Sequence, residues 1–211
     1  MKKFFSVFLA SIMLLSVLLP SYSSASNIDV SVNYVDIDEH FIKELTEESG
    51  TDFTDVDLTN FEEEYAFLLN DPVFRELEEY LVLNEQDVIL DDNEVTGQWV
   101  PLAAAAIRLL AGKVGTKAID KAWKIAKPHV DKALKDLDRY KFVVNTKNGR
   151  YLGIIDTKSK SKDKTVFALD YHQFKEGNKR TKDDVLHYHV IPNIKAHHII
   201  YPSDPKWETI K

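Results

Sequence analysis

The chain has 211 residues, with 34 acidic side chains against 27 basic ones for a formal net charge of −7, seven histidines and no cysteine. That length makes one ordinary domain or two small ones. The lack of Cys excludes disulfides, a lipid-bearing cysteine and thiol catalysis, so any core is held by packing alone. Residues 1–25, MKKFFSVFLASIMLLSVLLPSYSSA, place Lys2 and Lys3 before an apolar run at residues 4–19 and end in Ser23 and Ala25. This order predicts a secretory signal peptide cut after Ala25, because the run is short for a bilayer span and a small-residue cleavage pattern follows it. The expected location is therefore secreted, extracellular.

Beyond that leader the charge is divided unevenly. Residues 26–98 hold 22 Asp and Glu against Lys43 and Arg75, whereas residues 99–211 hold 23 Lys and Arg against 12 acids. A basic surface attracts phosphate backbones or anionic membranes, and an acidic segment on the same chain competes for it. A plainer reading is that the acids keep an exported chain soluble.

The acidic pre-region, residues 26–98, carries its own patterns. Ile28, Val30, Val32 and Tyr34 alternate as in a half-buried strand. Thr59 with Glu62 reads as a capping box before a helix whose Phe61, Tyr65 and Leu68 share a face. Pro72 interrupts, and Phe74, Leu77 and Leu81 restart helical spacing, while EESGTDFTDVD reads as a loop.

A boundary is expected near Gly97. In the helical segment that follows, residues 99–138, an Ala-rich run at 102–111 is interrupted only by Arg108, and Gly112 and Gly115 break the pattern. Next comes a basic amphipathic helix with Ile119, Ala122, Trp123 and Ala126 on one face; Pro128 ends or kinks it before the stripe resumes at Val130. Such a helix packs on a core, or lies on a membrane surface.

From Asp138 onwards the reading is β. KFVVNT and YLGIID flank Asn148-Gly149, a hairpin signal, and TVFALDYH, VLHYHVI and KAHHIIY follow, separated by TKSKSKDK and the charged loop FKEGNKRTKDD. The expected fold class is α+β: an acidic helical N-terminal region, an Ala/Lys-rich helical segment, then a small antiparallel sheet of about five strands over residues 139–211.

Four of the seven histidines fall in LHYHVIPNIKAHHIIYP. Strand alternation sets His187 and His189 on the face opposite Leu186, Tyr188 and Val190, so that face is expected to be accessible. Asp170 and His172 pair in the same way, and only one of His197 and His198 can join them. Imidazoles work as general base and acid near neutrality, and Lys175, Lys179, Arg180, Lys182 and Lys195 supply charge for a phosphodiester. Cleaving RNA through its own 2′-hydroxyl requires no cofactor. The same His-x-His spacing, with Asp170 or His172, also suits a metal ion. No P-loop, Gly-x-Gly-x-x-Gly or Gly-x-Ser-x-Gly motif occurs.

The leader, acidic pre-region, junction PLAAAAIRLLAGKVG and Lys- and His-rich ending resemble the small exported toxins of Bacillus and Staphylococcus type bacteria. ALDYHQF and LHYHVIPNIKAHHIIYP resemble the tip domains of polymorphic bacterial toxins. The resemblance implies an antibacterial toxin, with a barnase-like ribonuclease domain that needs neither metal nor cofactor. It makes His187, His189 and His198 the acid–base candidates. Lys195, Arg180, His172 and Asp170 become substrate-binding candidates, RNA the substrate, and a cognate immunity protein a partner. The alternatives are a membrane-active toxin working through residues 102–137, with transient membrane contact, and a non-catalytic extracellular protein.

Overall fold

The computed structural model of the chain describes residues 37, 39–83, 89–90 and 100–210. The expected signal peptide, the strand expected around residues 28–34 and the boundary near Gly97 lie outside the described residues.

Helix α1 (Glu39–Ser49) starts within the acidic segment and takes up the Glu-Glu-Ser that was expected to begin a loop. Its Thr46 hydroxyl accepts the Phe53 amide at 3.1 Å, which folds the following loop back so that Phe53 is fully buried. Helices α2 (Phe61–Glu64) and α3 (Ala66–Leu69) replace the single helix predicted there. The capping box does not form: the Asp57 carboxylate holds both the Thr59 amide and hydroxyl, and Asn60 takes the cap position without a side-chain bond. Helix α4 (Pro72–Leu83) begins on its proline, where a missing N–H is of no consequence, and buries Phe74, Leu77 and Leu81 as the spacing predicts.

Helix α5 (Val100–Val114) and helix α6 (Thr116–Leu134) meet at Gly115, whose φ of 82° makes the corner. The apolar run is spent inside the fold, with Ala106, Leu109, Leu110 and Ala111 fully buried. Among the described residues no helix is long and apolar enough to cross a membrane. Helix α6 puts Ile119, Ala122, Trp123, Ala126 and Val130 inward, leaving Lys117, Lys121 and Lys124 exposed. Pro128 does not end it; the residue faces solvent, where the carbonyl that loses its donor can turn to water.

Strand β1 (Ile89–Leu90) lies parallel to β2 (Tyr140–Asn145), and β3 (Arg150–Asp156), β4 (Thr165–His172), β7 (Val185–Val190) and β8 (Asn193–Tyr201) continue antiparallel in the order β1-β2-β3-β4-β7-β8. The five long strands are those read from the sequence. The charged loop was not: β5 (Lys175–Glu176) and β6 (Lys179–Thr181) form a hairpin on Gly177, and β9 (Trp207–Thr209) joins them in a second, three-stranded sheet. The helices cover one face of the main sheet, where His129 of α6 stacks on Phe167 at 4.7 Å.

Tyr34–Lys211 forms one compact unit. A single apolar cluster draws Leu45, Phe74 and Leu81 from the acidic segment, Leu110 and Trp123 from α5 and α6, and Phe142, Phe167 and Leu186 from the sheet. The cluster thus takes residues from all three of the segments 39–83, 100–134 and 140–200. Among the described residues, ion pairs join the acidic and basic halves at Arg108 with Glu78 in a buried fork, Lys127 with Asp71 and Lys113 with Asp55.

Candidate functional site: a histidine face closed by aromatic rings

Antiparallel pairing brings residues directly opposite one another onto one face. Asp170 of β4 is opposite His187 of β7, Ala168 is opposite His189, and His187 is opposite Ile199 of β8. His197, two residues from Ile199, therefore joins them, with its ring 5.1 Å from His187 and 4.8 Å from His189. His198 is opposite Tyr188 and stacks on it at 4.7 Å, on the helix side. The expectation that His198 completes the trio is corrected to His197, as alternation along β8 requires.

The expectation of an accessible face is also corrected. His187 is 0% exposed and His189 8%, no more open than the apolar positions beside them. The second sheet closes this side. Phe174 stacks on His197 at 4.1 Å, lies 4.7 Å from His187, and is met edge-on by Trp207 of β9 at 5.6 Å. A reciprocal pair of bonds with Thr181, itself fully buried, pins Phe174: its amide donates to the Thr181 hydroxyl and its carbonyl accepts the Thr181 amide. Sequence reasoning assigned Phe174 to a loop, and the cue overlooked was the Gly177-Asn178 turn.

Arg150 was missed altogether, having been read as part of the hairpin turn. It pairs with Asp170, whereas Leu152 pairs with Leu169, so a bulge at Tyr151 shifts the register by one residue. A bulge re-aims the side chain next to it. Arg150 thus shares the histidine face although Leu152 faces the helices. Its guanidinium forks onto the Asp170 carboxylate at 2.9 and 3.0 Å. Gly149, at φ 71°, lets the hairpin end reach this corner; a Cβ there would come within 2.7 Å of the His172 Cβ and the Tyr171 carbonyl.

Asp170 is the hub. Its Oδ2 lies 3.5 Å from His189 Nε2 and 3.9 Å from His172 Nε2. Burial pushes its carboxyl upward, but His172 and the Arg150 guanidinium outweigh that and hold it down at about 2. Burial also works against a charge on His172, yet Asp170 wins and the imidazole is raised above its ordinary value. Burial lowers His187 to about 3 and lowers His189 and His197 as well. These three rings are neutral at physiological pH, which makes His187 and His189 poor proton donors. His172, with 34% of its side chain exposed, is the most open ring around Asp170.

Among the basic candidates, Lys195 is exposed on β8, in the stretch between Asn193 and His198 where the pairing with β7 shifts register. Arg180 is exposed and paired with Glu208 of β9 at 2.7 Å, on the second sheet and not on the histidine face of the main sheet. Lys175, Lys179 and Lys182 are exposed around the second sheet.

No family model, curated protein or solved structure matches this chain.

Proposed function

We propose that the chain is an exported toxin that cleaves nucleic acid, RNA in the first place, at the histidine face of its main sheet. The observation that carries this reading is Arg150, turned by a bulge onto a face of imidazoles and held there by a buried carboxylate. A preorganised guanidinium holds a phosphodiester oxygen and stabilises the charge that develops on it. Lys195 adds an exposed cation on β8, and His172 is the imidazole open enough to exchange a proton with substrate. Export and the toxin setting rest on the sequence layout; RNA rests on the charge of residues 99–211.

Among the described residues, ion pairs of the acidic segment with the basic half run to Arg108, Lys113 and Lys127 on α5 and α6, so these contacts are part of how the two halves pack.

Incubation of the purified full chain with single-stranded RNA, single-stranded DNA and duplex DNA, read on gels, tests the proposal. RNA cleavage is expected, reduced about 10²–10³-fold by Arg150→Ala and only slightly by Arg180→Ala. Intact substrates with folded protein, or cleavage indifferent to Arg150→Ala and Lys195→Ala together, would overturn it.

A further inference from the structure

The histidine face has a defect that phosphodiester binding does not explain: two ring nitrogens inside it have nothing to bond to. A neutral imidazole carries one N–H and one bare lone pair, and the partner of one nitrogen decides the state of the other. His187 Nδ1 lies 2.8 Å from the Val185 carbonyl, which can only accept, so Nδ1 holds the proton and Nε2 is a lone pair. That Nε2 is buried and makes no hydrogen bond. On His189 the geometry is reversed. Nε2 faces the Asp170 carboxylate at 3.5 Å, and Nδ1 is buried; the Ile194 backbone lies close enough to act on the ring, but no hydrogen bond of ordinary geometry forms at Nδ1. An orphaned nitrogen is destabilising in a dry interior, and here two occur two residues apart on one strand.

The geometry points to a divalent transition-metal site of the zinc type, held by His187 Nε2, His189 Nδ1 and a nitrogen of His197. Ligand atoms of these three residues all lie within 4.8 Å of one another. Nitrogen–metal bonds of about 2.0–2.1 Å in a tetrahedron need donors about 3.3 Å apart, which each ring reaches by moving about 1 Å or less. The outer partners match what metal-bound histidines require: a backbone carbonyl behind His187 and a carboxylate behind His189, fixing the tautomers that aim the lone pairs inward. Asp170 also stands near His172 and His187 in a second group of ligating atoms. Its two oxygens are forked onto Arg150, so it serves behind the ligands. Three neutral nitrogen donors select Zn²⁺, Co²⁺, Ni²⁺ or Cu²⁺ over Mg²⁺ or Ca²⁺, and three protein ligands leave a fourth position open. Phe174, stacked on His197 beside His187, keeps the site dry. Binding stands independently of the nuclease reading; only the use of the ion in cleavage rests on it. This departs from the metal-free chemistry expected from the sequence.

The test uses the full chain freed of metal with a chelator and then dialysed. Calorimetric titration with Zn²⁺ is expected to give one ion per chain, and Co²⁺ the visible absorption of a tetrahedral nitrogen site. His197→Gln, at the half-buried ligand, is expected to keep the fold by circular dichroism and weaken zinc at least 100-fold. His187→Ala does the same or more, and Asp170→Asn weakens it about 10–100-fold. His198→Ala, on the opposite face, leaves binding unchanged. No bound ion, or binding that survives both His197→Gln and His187→Ala, overturns the site. A chain that binds zinc and cleaves nothing sinks the nuclease reading alone. A chain that cleaves RNA in chelator and takes up no ion sinks the metal site alone.

Discussion

The two faces of the main sheet are both buried at their centres and differently satisfied. On the helix side, Phe167, Leu169 and Leu186 are buried against α6 and its neighbours, and apolar groups ask nothing of their surroundings except contact. On the other side, His187 and His189 are buried to the same degree beneath Phe174. Their ring nitrogens do ask for partners, and two are left without one. Burial alone therefore does not distinguish a core from a site; the state of the polar atoms does.

The comparison is broken most severely by removing what covers the helix side. A chain reduced to residues 99–211 loses Phe53, Phe74, Leu77 and Leu81 from the shared cluster and is expected to show no cooperative thermal transition. Within the full chain the two faces should answer truncation with different magnitudes. Phe167→Ala, on the helix side, is expected to cost about 3–5 kcal/mol in urea unfolding. His187→Leu, on the other side, should change the metal-free protein by less than about 1.5 kcal/mol, since it removes an orphaned lone pair as well as a bond to Val185. A loss from His187→Leu as large as that from Phe167→Ala would mean that the histidine face is an ordinary core.

The carboxylate between these effects gives a pH dependence. Asp170 titrates from an ordinary 3.8 to about 2 in the folded chain. Its contribution is fully present above 3.8 and is lost as the pH falls through about 2. The full effect is on the order of 2–3 kcal/mol, visible as an acid limb in stability that Asp170→Asn lacks. The same variant removes the carboxylate from the Arg150 fork and should cost about 3 kcal/mol at neutral pH. At the small end, Arg180→Ala removes an exposed pair with Glu208 and should stay within about 0.5 kcal/mol.

Periodicity made much of this legible. Helical spacing found the buried stripe of α6 and the inward residues of α4, and alternation found all five long strands and grouped His187 with His189. It also limited β8 to one contributor, His197 or His198. What it lacked was the identity of the covered faces. A sheet with apolar residues on one side reads as solvated on the other, and the short strands that close the histidine face lie in segments whose charge resembles a loop. Arg150 was hidden for another reason. Alternation presumes unbroken pairing, and a bulge changes the parity of every residue before it. Nor does a capping motif reveal that Asp57 competes for Thr59 more effectively than the helix does.

That change of parity at Tyr151 has a hereditary side. One residue separates a strand whose guanidinium joins the imidazoles from one whose guanidinium would be driven into the apolar helix layer. Loss of a single codon there would leave every histidine in place and silence the charge beside them. Restoring it would return the charge in one step, so the hairpin end is where variants of this chain can gain or lose that charge while keeping the same sheet.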